Sequence, residues 1–194
     1  MNDLIININS EDSDIIESFN KGNNNAFNYL VLKYQKKIYW VIRKIVLDHD
    51  EADDITQEVF LKIYDSLKSF RGDSKFFTYI YKIAVNYSIN YLNKNKRILS
   101  KKADYEIEAY KISSNDMKPD EIQDSVKKTK LLEQAILSLP PQQRAVFNMR
   151  FYDNLTYEEI GGILNKSIGG LKANYFHATK KIEECLKNKV IFKE

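Results

Sequence analysis

Lys172, Phe176, His177 and Lys180 recur at the three- and four-residue spacings that set side chains side by side on one face of a helix. Ammonium groups with an aromatic ring and an imidazole have the chemistry to read DNA, because lysines hold anionic oxygens and a ring lies against a thymine methyl or a base edge. The elements that must position them are legible around them, from Leu155 to Lys189. Thr156 and Glu159 have the spacing of a capping box, in which each satisfies a free amide at the start of a helix. Tyr157, Ile160 and Leu164 form that helix's apolar face. Asn165-Lys166-Ser167 makes the turn, with Ser167 placed to cap a second helix that begins at Ile168-Gly169-Gly170. Leu171, Tyr175, Ala178, Ile182 and Leu186 form its core stripe, which leaves Phe176 outside the core among basic groups. A helical hairpin with a solvated basic face has the same pattern.

Two further constellations lie upstream. Asp53, Asp54, Gln57 and Glu58 stand opposite the helical stripe Ile55, Val59, Phe60, Ile63, Tyr64 and Leu67, so one helix presents acids and amides on one side and buries the other. Tyr79, Lys82, Asn86, Asn90, Asn93 and Arg97 form a second polar stripe at spacings of three and four. A ring, amides and bases together suit unstacked nucleotides and their phosphates. A solvated face in an Asn-rich chain looks the same.

The 194 residues hold 6 Gly and 3 Pro and a formal charge of +3, which points to an all-α protein of one medium or two small domains. The charge is polarised. Residues Asp3 to Glu17 carry acids and no Lys or Arg, as does Asp48 to Glu58, whereas bases outnumber acids from Lys127 onward. Such asymmetry predicts separate surfaces for separate partners. The single Cys185 excludes an intrachain disulfide and a cysteine-based zinc site, which fits a reducing cytoplasm. No apolar run approaches the roughly 20 residues a membrane helix needs, and no leader pattern precedes Ser10.

Helical periodicity begins near Asp14 and passes through Ala26, Phe27, Leu30 and Tyr34 to Val46. A second helix follows Asp50, and a third, after the turn-forming Phe70-Arg71-Gly72-Asp73-Ser74, is expected to bury Phe76, Ile80, Ile83, Ala84 and Tyr87. From residue 100 to 125 the pattern fades into a linker. Helices over 126–138 and from Gln142 to Tyr152 then precede the helix-turn-helix, the latter packing Val146, Phe147 and Phe151.

Three segments, in this order, resemble the sigma-70 family of bacterial RNA polymerase sigma factors, of the extracytoplasmic-function type. EADDITQEVFLKIYDSLKSF at 51–70 is similar to the family's polymerase-binding helix, and FRGDSKFFTYIYKIAVNYSINYL at 70–92 to its loop and helix for the minus-ten element. LSLPPQQRAVFNMRFYDNLTYEEIGGILNKSIGGLKANYFHATKKI at 137–182 is similar to region four, which reads the minus-thirty-five element. The resemblance implies a region-two helical bundle over 14–99, a linker over 100–125 and a region-four helix-turn-helix over 126–190. It implies docking of Asp53, Asp54, Gln57, Glu58, Phe60 and Leu61 on the coiled coil of the β′ subunit of core RNA polymerase, with the β flap as a further contact. Minus-ten DNA falls to Phe70, Arg71, Gly72, Asp73, Ser74 and Lys75, with Tyr79, Lys82, Asn86 and Asn90 along the strand. In region four Lys172, Phe176 and His177 read bases while Lys166, Ser167 and Lys180 hold phosphates. An anti-sigma factor is an implied partner. The chain departs from the family where Tyr79 replaces a frequent tryptophan, where Val85, Asn93, Asn174 and His177 replace frequent arginines, and where Gly170 replaces threonine.

No nucleophile and base pair up for hydrolysis, no cofactor motif is present, and Asp48-His49-Asp50 lacks the glycine and final glutamate of a calcium loop. Lys166-Ser167 follows Asn165 and ends a helix, which excludes a phosphate-binding loop. The competing reading is a stand-alone helix-turn-helix regulator with an N-terminal dimerisation or sensing domain, which would bind a palindromic site without polymerase.

Overall fold

A computed structural model describes the backbone of residues 6–102 and 131–191, with side chains over 6–95 and 131–187. Every regular element among these residues is helical. The chain divides into two compact units, the division falling after Ser88.

The first unit contains α1 (Asp12–Asn20), α2 (Ala26–Val46), α3 (His49–Ser66), a single 3-10 turn at Leu67–Ser69, and the start of α4 (Phe76–Lys102). The periodicity that runs on from Asp14 through Tyr34 is in fact interrupted. Gly22 sits at φ 101°, the left-handed region open to glycine, and the Lys21 and Gly22 amides close α1 on the Glu17 and Phe19 carbonyls. The chain then reverses through Asn23–Asn25, so the apolar stripe folds back on itself as two helices. α3 opens where the sequence places acids. The Asp48 carboxylate accepts from the Glu51 amide at 2.9 Å, and Asp50 and Glu51 occupy the positive end of the helix.

Ile15, Phe19, Leu30, Ile38, Ile42, Ile45, Ile55, Ile63, Leu67 and Ile80 are fully buried and fill the space between these helices. Phe19, Phe27 and Tyr64 form a cluster of edge and tilted ring contacts at 5.1–6.0 Å. Asp12 ties α1 to α2, accepting from Lys33 at 2.7 Å and from the Tyr34 hydroxyl at 2.6 Å. Burial and that carboxylate push the Tyr34 hydroxyl well above its ordinary range. On α4 the buried set differs from the expected one: Phe76, Ile80, Tyr81, Ala84, Val85 and Ser88 face inward, while Ile83 and Tyr87 are half-exposed. The stripe is rotated by about one position toward Tyr81, Val85 and Ser88, and at its start Phe76 and Phe77 both lie against Tyr34, at ring distances of 5.6 and 5.7 Å.

In the second unit residues 131–137 are helical, followed by α5 (Pro141–Phe151), α6 (Tyr157–Leu164) and α7 (Ile168–Ile191). Pro141 opens α5 at the position where a missing amide costs nothing. Ala135, Ile136, Leu139, Val146, Met149, Ile160, Ile163, Leu171, Ala178 and Ile182 make the core. Arg144 is buried among them. Its guanidinium donates to the carbonyls of Ile136 at 3.1 Å, Leu137 at 2.6 Å and Leu139 at 3.2 Å, which closes the helix ahead of α5. Burial holds the Arg144 pKa below its ordinary value. Phe151, expected inside, is 53 % exposed and stacks on Phe147 at 5.2 Å. It occupies the last residue of α5, past the end of the packed stripe. The expected linker lies outside the described residues from 103 onward, as does the 126–130 portion of the helix that follows it; α4 itself continues to Lys102.

Candidate nucleic-acid and protein interfaces

The helix-turn-helix is fixed by local chemistry. The Thr156 hydroxyl accepts from the Glu159 amide at 3.2 Å while the Glu159 carboxylate accepts from the Thr156 amide at 2.7 Å. Those bonds hold the Glu159 carboxyl below the usual range. α6 ends at Asn165 in the left-handed conformation, φ 53°. The turn passes close to Gly161, where a β-carbon would stand 3.1 Å from the Lys166 carbonyl oxygen. Ser167 then caps α7, its hydroxyl accepting from the Gly170 amide at 3.3 Å.

That capping bond engages the Ser167 hydroxyl, so its expected phosphate contact is shared with a structural one. On α7 Leu171 and Ala178 face fully inward and Phe176 is 61 % exposed. Lys172, Phe176, His177 and Lys180 are all solvent-facing, with the His177 ring edge-on to Phe176 at 5.7 Å. The Lys172 ammonium lies 5.8 Å over the Tyr157 ring. Lys166 is exposed in the turn, and the Asn174 side chain bonds back to the Gly170 carbonyl at 2.8 Å.

α3 exposes Asp53, Asp54, Gln57 and Glu58, and Leu61 stands out at 66 % exposure. Two members are edge residues. Asp53 turns toward His49, 3.6 Å away, which also meets the Tyr39 hydroxyl at 2.8 Å. Glu58 accepts a hydrogen bond from the Tyr87 hydroxyl of α4, which raises the Tyr87 pKa. Phe60 stays with the buried stripe, 7 % exposed against Phe27, so of the apolar pair in the docking set it is Leu61 that protrudes. It serves as floor to a groove of about 540 Å³ lined by Phe27, Asn28, Val31 and Gln35 of α2 and Thr56, Gln57, Leu61 and Tyr64 of α3. The α2 wall was missed from sequence. Its signal is the run Asn28, Val31 and Gln35, spaced like a helix face yet set off the buried stripe.

Around the loop after the 3-10 turn, a cavity of about 680 Å³ is lined by Phe70, Arg71, Gly72, Ser74, Lys75, Phe76 and Phe77, together with Tyr34 and residues of the α1 region including Glu11, Asp12, Ser13, Glu17 and Asn20. Gly72 takes φ 78° to shape the loop. Phe70 is half-buried and packs against Tyr79 and Phe76, at 4.9 and 5.8 Å, so the ring forms a wall. Tyr79 is half-buried too, its hydroxyl paired with Ser66 at 2.8 Å, so it supports the loop instead of standing free on the polar stripe. Asp73 and Asn86 do not line the cavity, and the Asn86 amide donates to the Lys82 carbonyl of its own helix at 2.8 Å. Lys82 and Asn90 are exposed on α4. Val85 is fully buried. Nothing in the chain near α1 announced its part in the cavity, apart from its acidity.

Two helical units, one a capped helix-turn-helix with an aromatic and basic outer face, define a DNA-binding class of protein. Residues 30–98 match the family model of sigma-70 region 2, and residues 129–182 that of sigma-70 region 4. The chain is 33 % identical over 187 residues to the RNA polymerase sigma-H factor of Pseudomonas aeruginosa, with 91 % of this chain and 94 % of that one covered. It is 36 % identical over 178 residues to the ECF RNA polymerase sigma-E factor of Escherichia coli, covering 89 % and 92 %. In fold it is similar to the sigma factor RpoE solved with the anti-sigma factor NepR from Bartonella quintana, with TM-score 0.60, 21 % identity, and 83 % of this chain and 96 % of that one covered. CnrH, solved with the cytosolic domain of CnrY, gives TM-score 0.59 at 16 % identity, covering 90 % and 96 %. The chain belongs to the sigma-70 family of RNA polymerase sigma factors, in its extracytoplasmic-function branch. No helix among the described residues is long and apolar enough to cross a membrane.

Proposed function

We propose that this initiation factor docks on core polymerase through the exposed ridge of α3, reads the minus-thirty-five element with α7, and opens the minus-ten element at the loop of residues 70–75. Leu61 carries the docking assignment: a leucine 66 % exposed, beside Gln57 at the rim of an apolar groove, lacks a packing role within its own unit. Asp54 and Gln57 surround it with groups that meet a basic or amide-bearing helix, as expected of the β′ coiled coil. Asp53 and Glu58 border the patch while holding His49 and Tyr87. The same face suits an anti-sigma factor, which would then exclude polymerase by occupying it. The β flap falls to the second unit.

In the second unit Phe176 and His177 reach base edges with Lys172, while Lys166 and Lys180 hold phosphates on the flanks. In the first, the cavity at the loop suits a base, since aromatic rings line it and its Glu11 carboxylate attracts an exocyclic amine, while Asp12 and Glu17 are already paired with Lys33 and Lys21. Arg71 and Lys75 at its loop side are placed for the phosphates that flank an extruded nucleotide. Flipping costs a few kcal/mol, offset by stacking on walls such as Phe70 and Tyr34. Lys82, Asn86 and Asn90 then follow the strand along α4. The protein carries out no covalent chemistry in this reading, works in the cytoplasm, and leaves the active site to polymerase.

Titration of core polymerase with the double variant Asp54→Lys, Gln57→Ala tests the docking face. Affinity should fall by about 1–4 kcal/mol with helicity unchanged. An unaltered binding curve overturns the assignment.

A further inference from the structure

We propose that the edge of α2 carrying the exposed Lys37 and Trp40 and the half-exposed Lys44 is a track for single-stranded DNA leaving the loop cavity. The inference rests on the reading of that cavity as a base pocket and extends it to an element with no assigned DNA contact. Four observations carry it. α2 contains Lys33, Lys36, Lys37, Arg43 and Lys44 and no acid, an unusual bias for a helix of 21 residues. Positions 33, 37, 40 and 44 follow helical spacing, so they line up along one edge. Trp40 on that edge is 53 % exposed, with Tyr39 edge-on at 5.3 Å, and an indole held in water beside lysines has no packing role to explain it. Finally, the Lys37 ammonium lies 5.9 Å over both the Tyr34 and Phe77 rings, and both rings line the cavity. The cationic edge therefore begins where the cavity ends and continues for two turns, roughly 10 Å, to Lys44.

Alternating cations and a flat ring are the means by which proteins hold single strands, the cations tracking phosphates and the ring stacking a base of any identity. An acidic protein partner is the weaker occupant. The apolar surface a protein would seek on α2 is the Asn28, Val31 and Gln35 wall of the groove, about half a turn around the helix from Trp40. At the cavity end, Lys33 is already turned inward to Asp12, which leaves Lys37 as the first cation the strand meets.

Trp40 is the chain's single tryptophan and hence its own reporter. The full chain is titrated with a single-stranded oligothymidylate of about 12 nucleotides, a length suited to one such track. Trp40 emission should quench saturably. Anisotropy of the labelled oligonucleotide should show Trp40→Ala binding about tenfold more weakly, Trp40→Phe recovering most of the loss, and Lys37→Gln with Lys44→Gln lowering the salt slope by roughly 0.7 per lysine. Ultraviolet cross-linking should join the oligonucleotide to Trp40. Replacement of the loop at 71–75 separates the two readings: if it leaves minus-ten preference unchanged while Trp40 quenching persists, the pocket fails and the track stands. The track is overturned if the oligonucleotide leaves Trp40 emission unchanged. It is equally overturned if Trp40→Ala weakens binding to core polymerase but not to DNA, or if phosphatidylglycerol vesicles quench Trp40 where DNA does not.

Discussion

Phe176 stands apart from its neighbours on α7. Leu171, Ala178 and Ile182 are inside, and the residues beside Phe176 on the outer face are cations or polar, so its ring is presented to a partner at some cost in solvation. Contacts to base edges carry sequence information, whereas phosphate contacts carry affinity alone. Phe176→Ala is therefore expected to relax minus-thirty-five preference, read as a compressed ratio of transcription from native and altered elements. Lys180→Ala should instead weaken all duplexes alike and flatten the salt dependence by about one charge. A native ratio in Phe176→Ala would move base reading away from the ring. Residue identity also sets limits: Val85 is fully buried and apolar, so this position of α4 makes no phosphate contact.

Elements are held by caps as much as by cores in this molecule. α6 is short, eight residues, and depends on its capping box at one end and a left-handed Asn165 at the other. Its two adjacent glycines have opposite standing. Gly162 is exposed with open space around its α-carbon, so Gly162→Ala should stabilise the second unit by about 0.5–1 kcal/mol through lower unfolded-state entropy. Gly161 faces the Lys166 carbonyl at a β-carbon distance of 3.1 Å, and the obstacle is backbone. Gly161→Val should cost about 1–3 kcal/mol and shift the angle at which α7 is presented. Urea melts of the two variants followed by circular dichroism check both signs.

At the scale of the molecule the two units carry different reporters. Trp40 belongs to the first, while the buried Arg144 that closes the helix of residues 131–137 belongs to the second. Arg144→Ala leaves carbonyls without their donor in an apolar setting and should destabilise the second unit by about 2–4 kcal/mol. The loss should appear in the circular dichroism of the full chain while the unfolding midpoint read by Trp40 stays where it was. Coincident shifts in both signals would show that the units unfold as one.

Much of this protein is written locally. The capping box at Thr156 and Glu159, the Ser167 cap, the outward position of Phe176 and the acidic and amide ridge of α3 all depend on spacing within a turn or two of helix, and the sequence alone determined them. The same holds for the family, because its motifs are short and ordered along the chain. What required the tertiary structure is whatever depends on a partner distant in sequence. The split of the first helix at Gly22 follows from a backbone reversal whose benefit is the packing of α1 on α2. The rotation of α4's buried stripe is likewise set by packing against distant residues, among them Tyr34, some forty residues earlier, which meets Phe76 and Phe77. Periodicity puts Phe60 on the buried stripe of α3, but that it meets Phe27 of α2 and floors a groove beside Leu61 is decided by how the two helices pack. The loop cavity needs α1 for its acidic wall, and no local period brings residues 11–20 to residues 70–77. Periodicity reports which side of a helix is apolar; which neighbour covers that side, and what space is left between them, is decided by the packing of all the helices at once.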